Sequence, residues 1–123
     1  MTHTPITGRR VLVAEDEPLI SMLLTDHLEY AGYTVVGPFA GLDEASAAAQ
    51  DGMLDVALLD INLKGQIVLP LAEQLTARSV PVVLMSGYGD QRQMSGRQTW
   101  PIIPKPFDLT TLLATLEKVV TPA

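Results

Sequence analysis

Five polar side chains stand where short apolar runs stop. Val11-Leu12-Val13-Ala14 runs into Glu15-Asp16, Val56-Ala57-Leu58-Leu59 stops at Asp60, and Val82-Val83-Leu84-Met85 stops at Ser86. Ile102-Ile103 meets Lys105 after Pro104. Three carboxylates, a hydroxyl and an ammonium can together hold a hard metal ion through oxygen and manage the charge of a phosphoryl group. Taken singly, Ser86 is an ordinary turn hydroxyl and Lys105 an ordinary surface amine. Asp60 is harder to dismiss, because an acid directly after four apolar residues is costly if buried and unpaired. The neighbours Glu15, Asp16 and Glu17 repel one another unless a cation neutralises them; as a triplet alone they would pass for a solvated acidic turn.

These residues act together only if the runs that carry them are parallel strands of one sheet. The pattern supports that arrangement. Arg10–Ala14 reads as a buried first strand, and Pro18 suits the first turn of a helix. Ile20, Leu23, Leu24, Leu28 and Ala31 mark one face of that helix, and Gly32 stops it. Thr34–Val36 is a short second strand ending at Gly37-Pro38. An alanine-rich helix follows from about Glu44 to Gln50, which Asp43 can cap or open and Gly52 ends. Val56–Leu59 is the third strand, Ile67–Arg78 a helix with Pro70 in its first turn, and Val82–Met85 the fourth strand. After the fifth, Asp108 caps a last helix whose stripe is Leu109, Leu112, Leu113, Leu116, Val119 and Val120. Short, continuously apolar strands indicate a sheet covered on both faces. Right-handed crossovers then give an α/β fold, a doubly wound five-stranded parallel sheet in the flavodoxin-like order. Ligands of such sheets bind at the carboxyl edge, where the five polar residues gather. The least regular stretch is Gly87–Trp100, where only Met94 and Trp100 offer bulk to a core; a short, frayed or mobile helix is expected there.

Composition narrows the function. The chain has 123 residues, 47% of them hydrophobic, which suits one domain with one core, ordered from about residue 8 to 120. It has no cysteine, which removes disulfides, zinc thiolates and thiol catalysis. The net charge is −6 with no basic cluster, which argues against direct nucleic-acid binding. No apolar segment has the ~20 residues needed to span a bilayer, and the first ten lack a signal-peptide core, so a cytoplasmic location is expected. His3 and His27 have no metal-site spacing, and nothing around either suggests a phosphohistidine. Trp100 is expected at the core edge. Gly37-Pro38 and Gly87-Tyr88-Gly89 are not a dinucleotide fingerprint, because acids stand where that site needs glycines.

With Glu15-Asp16, Asp60, Ser86 and Lys105-Pro106-Phe107 each ending its own strand, in that order, the chain resembles the receiver domain of two-component response regulators. The resemblance covers essentially all of it. It implies the (βα)5 receiver fold, with Asp60 as phosphoacceptor and Mg²⁺ as cofactor. Asp16 and Asp60 would bind the metal directly, Glu15 through water, and Asn62 by its backbone carbonyl. Lys105 would pair with Asp60 and then with a phosphoryl oxygen, which Ser86 would also bond. It also implies a cis Lys105–Pro106 bond, where trans is the ordinary default.

The match departs from the common family pattern at several positions. Glu15 stands where the family often has Asp. Ile102 stands where it often has the aromatic that swings inward on phosphorylation. Ser86-Gly87-Tyr88, together with Asn62-Leu63-Lys64-Gly65, looks like a receiver subfamily with a Phe-Ala-Thr-Gly-Tyr-like motif in strand four. Leu84, Met85 and Ser86 hold the first three of those positions, so the match is partial. Tyr88 is therefore a candidate replacement for the switch that Ile102 removes.

The function expected is that of a single-domain receiver without an output domain. A histidine kinase or phosphotransfer protein would be its phosphodonor. It would signal by protein contact with a downstream target, or act as a phosphate sink. Two other readings compete. A phosphatase of the haloacid-dehalogenase type would place a second Asp at position 62, where Asn62 cannot serve as general acid. A degenerate receiver, working without phosphorylation, is opposed by the presence of every key residue type.

Overall fold

The structure is a computed structural model that describes residues 8–50, 52–87 and 100–120. Its elements run β1 (Arg10–Ala14), α1 (Pro18–Tyr30), β2 (Thr34–Phe39), α2 (Leu42–Gln50), β3 (Val56–Asp60), β4 (Asn62–Leu63), β5 (Gln66–Ile67), α3 (Leu69–Ala77), β6 (Val82–Ser86), β7 (Ile102–Pro104) and α4 (Leu109–Val120). The main sheet is parallel, in the order β2-β1-β3-β6-β7, and β4 and β5 form a separate antiparallel hairpin. This is the flavodoxin-like order expected from the apolar runs.

Alternation along the central strands divides the core in two. Leu12, Ala14, Ala57, Leu59 and Leu84 face α2 and α3, where Ala45, Ala49, Leu71, Ala72 and Leu75 cover them. Val11, Val13, Leu58, Val83 and Met85 face α1 and α4, against Leu24, Leu28, Leu112, Leu116 and Val120. Because β1, β3 and β6 are buried on both faces, nearly every residue in them is apolar. Each fully buried leucine contributes about 2 kcal/mol of transfer free energy, which pins the register and therefore the strand ends.

Several boundaries differ from the sequence expectation. The second strand continues past Val36 to Phe39, because the β1–β2 register shifts between Leu12 and Ala14. Gly37 makes the shift possible. Its φ is +111°, and a Cβ there would lie 2.8 Å from the Val13 carbonyl oxygen. The second helix starts at Leu42, so Asp43 opens it from within the first turn rather than capping it. The third helix begins at Leu69 rather than Ile67, because Ile67 is taken by the hairpin; Pro70 is in its first turn as expected. Leu23 is not on the buried face of α1: it is 47% exposed, as are more strongly Leu19 and Met22. Asp108 does cap the last helix, accepting from Thr110 N at 3.1 Å and Thr111 Oγ1 at 3.1 Å. Trp100 packs half-buried at the core edge, and its indole N–H donates to Thr76 Oγ1 at 2.9 Å.

Candidate functional site

The sheet register brings the strand-end residues to one edge. Ala14 pairs with Leu59, Asp60 with Met85, and Ser86 with Pro104, so Glu15, Asp60, Ser86 and Lys105 all fall at the carboxyl ends of neighbouring strands. Backbone bonds extend the pairing just beyond the strands. Glu15 N donates to Phe39 O at 3.0 Å, Ile61 N to Met85 O at 2.9 Å and Lys105 N to Ser86 O at 2.8 Å. The Lys105–Pro106 peptide is cis.

Lys105 is the electrostatic centre. Its Nζ lies 2.8 Å from Glu15 Oε1 and donates a hydrogen bond to Asp60 Oδ2 at 2.9 Å, with Glu17 Oε1 farther off at 3.9 Å. The other Glu15 oxygen accepts from Glu17 N at 3.0 Å, so both oxygens of this carboxylate are engaged. Asp60 Oδ1 accepts a longer bond from Asn62 N at 3.3 Å. Asp16, half-buried, accepts from Lys64 N at 2.8 Å.

Burial sets the charge states. Glu15, Asp60 and Ser86 are buried, and desolvation pushes both carboxyl groups above their ordinary values despite the bonds from Lys105. Burial works against the Lys105 ammonium, but its bonds to Glu15 and Asp60 outweigh that and hold it above the usual lysine range.

Oxygens of Glu15, Asp16 and Asp60 all lie within 4.8 Å of one another. Three carboxylates against one ammonium leave an excess of negative charge that a divalent cation would balance. All the donors are hard oxygens, the set Mg²⁺ prefers. The arrangement therefore fits such an ion, and it can also bring an anionic phosphoryl group against Asp60 without uncompensated repulsion.

The structure thus gathers Glu15, Asp16, Asp60, Asn62, Ser86 and Lys105. Ile102 pairs with Leu84 and packs half-buried against the α2/α3 side of the core. Tyr88, and residues 88–99 of the irregular stretch, lie outside the described residues. Two site contacts were not foreseen from the sequence: the Glu15–Lys105 pair, and the bond from the hairpin to Asp16. The first depends on a through-space meeting of the first and last strands. The second had a signal in Lys64-Gly65, a two-residue turn between Leu63 and Gln66.

The sequence matches the family model for the response regulator receiver domain over residues 11–117, and the chain belongs to that family of two-component signalling domains. SdrG from Sphingomonas melonis Fr1 has the same fold with a TM-score of 0.73 at 34% identity, covering 94% of this chain and 100% of that one. The receiver domain of the sensor histidine kinase PA1611 from Pseudomonas aeruginosa PAO1, whose structure has a magnesium ion coordinated in the active site cleft, matches in fold with a TM-score of 0.81 at 22% identity, over 93% of this chain and 98% of that one. PdtaR, a transcriptional regulatory protein of Mycobacterium tuberculosis, is 29% identical over 117 residues, which is 91% of this chain and 57% of PdtaR. The chain thus spans little more than half of that relative. Among the described residues no helix is long and apolar enough to cross a membrane.

Proposed function

We propose that Asp60 accepts a phosphoryl group from a phosphohistidine on a kinase or phosphotransfer protein, in a Mg²⁺-dependent reaction, and that the resulting acyl phosphate is the signal. The observation that carries this reading is the seating of Asp60: buried at a strand end, bonded to Lys105 and within reach of two further carboxylates. In the transfer, a carboxylate oxygen of Asp60 forms a bond to phosphorus as the phosphorus–nitrogen bond to the donor imidazole breaks, and the imidazole, already protonated on its other ring nitrogen, leaves neutral. Lys105 holds the carboxylate ionised before transfer and then pairs with a phosphoryl oxygen. Ser86, one residue beyond the partner of Asp60 on β6, donates its hydroxyl to another. Asp16, Asp60 and the Asn62 carbonyl would hold Mg²⁺, with Glu15 acting through water because Lys105 and Glu17 N already occupy its oxygens. The ion supplies charge neutralisation between carboxylate and phosphate, and the remaining catalysis is positioning. The PA1611 receiver, similar in fold, has a magnesium ion in its active site cleft, which accords with a metal at this edge of the sheet. Asn62 Oδ1 accepts from Gly65 N at 2.7 Å, a structural use that offers no general acid of the dehalogenase kind.

Output through contact with a downstream protein, or drainage of phosphate from a shared kinase, belongs to the same proposal. Incubation with acetyl phosphate and Mg²⁺, read by intact mass, tests the chemistry. A single added phosphoryl group that is absent in Asp60→Asn is expected. No adduct on the wild type would overturn the proposal.

A further inference from the structure

Asp16 follows β1 rather than belonging to it, and the next residue, Glu17, makes no side-chain cap at the start of α1. Its carboxylate is instead held from across the site. Lys64 N donates to Asp16 Oδ2 at 2.8 Å. Lys64 and Gly65 are the two loop residues of the β4–β5 hairpin, with φ of +51° and +85°. Positive φ at both positions defines a primed turn, which suits Asn-Gly and is disfavoured for lysine. Three features hold the turn in that shape. Gly65 N donates to Asn62 Oδ1 at 2.7 Å, Leu63 is fully buried, and Val68 N closes the base on Ile61 O at 2.8 Å. The two outward N–H groups of the turn are thus both accepted by side chains, one by Asn62 and one by Asp16.

We infer that the hairpin after the acceptor is a positioning device for the metal, with the Asn62 side chain as its positioning residue. Asn62 clamps the turn through Gly65, and the turn presents the Lys64 N–H that orients Asp16. One Asp16 oxygen is thereby occupied and the other is left for the ion. The inference rests on the reading of Asp16 as a Mg²⁺ ligand, and it gives the Asn62 side chain a task separate from its carbonyl. Partners that orient metal ligands this way commonly set affinity as strongly as some ligands do.

The experiment measures Mg²⁺ binding to the unphosphorylated protein by calorimetry, with folding of each variant checked by circular dichroism. Asn62→Ala, which keeps the carbonyl and loses the clamp, is expected to weaken binding on the order of tenfold. Gly65→Val, which disfavours positive φ, is expected to do the same. Gly65→Asn, which tolerates it, is expected to restore wild-type affinity. In the wild type, the Lys64 and Gly65 amide resonances are expected to shift with the same midpoint as calorimetry. Folded Asn62→Ala and Gly65→Val proteins that bind as tightly as the wild type would overturn the inference, as would a silent Lys64 amide. A wild type that binds no Mg²⁺ would instead overturn the functional reading on which the inference rests.

Discussion

Glu15 and Lys105, the residues that follow the first and last strands, are joined by a 2.8 Å ion pair whose acid is fully buried and whose lysine side chain is 14% exposed. Lys105 also donates to Asp60, so one ammonium compensates two buried carboxylates.

Removing that ammonium leaves both acids without their cation. Lys105→Ala is expected to lower unfolding free energy by about 3 kcal/mol in urea titrations at neutral pH, within the range for breaking a buried pair from one side. Saturating Mg²⁺ should recover part of the loss. A variant as stable as the wild type without metal would show that the acids tolerate burial unaided.

Metal binding to the folded site should also appear as stability. Mg²⁺ at a hundredfold excess over Kd is expected to add about 2.7 kcal/mol, read as a rise in Tm that a chelator reverses. Asp16→Ala should abolish most of the rise. An equal rise in that variant would place the ion elsewhere.

Gly37 is the residue that lets β2 reach Phe39, whose carbonyl accepts Glu15 N. Gly37→Ala forces a Cβ against Val13 O and Phe39 N at 2.8 and 2.9 Å in a positive-φ backbone. It is expected to cost about 2 kcal/mol or more and to move the Glu15 amide resonance. A neutral effect on both would mean that β2 does not brace the acidic turn.

Tyr33 provides a pH test away from the site. Its hydroxyl is buried without a hydrogen-bond partner among the described residues, and burial followed by the nearby Glu117 charge raises its ionisation above the ordinary 10.0, with Arg9 opposing. The fold therefore favours the neutral phenol. The stability this contributes is complete below about pH 10 and is lost as pH rises through the raised value. Tyr33→Phe is expected to be more stable by about 1 kcal/mol at neutral pH and to show a shallower alkaline decline in urea titrations. Parallel alkaline limbs for the two proteins would refute this.

The central sheet was legible because its signal is local: in β1, β3 and β6 four-residue apolar runs are buried on both faces, and each stops at a polar residue. The site was legible for the same reason, since Asp60, Ser86 and Lys105 are ends of runs. Features that depend on partners distant in sequence were not. Leu23 fits the periodicity of α1 but falls just off the contact line, which only the angle of helix against sheet decides. The extension of β2 depends on a register shift against β1, and the late start of α3 on a hairpin that claims Ile67. The sharing of Lys105 between Glu15 and Asp60 requires the first, third and last strands to be placed together, which no window of sequence contains.

Among the described residues, the candidate site residues lie at or just beyond strand ends, whereas the helices give their inner faces to the two halves of the core. Leu19 and Met22 on α1 are exposed while Asp16, a few residues earlier, belongs to the acid cluster. The exposed face of α1 and the acid cluster are therefore separate parts of the same loop-and-helix unit. Substitutions on that outward face are expected to leave the geometry of the acid cluster unchanged.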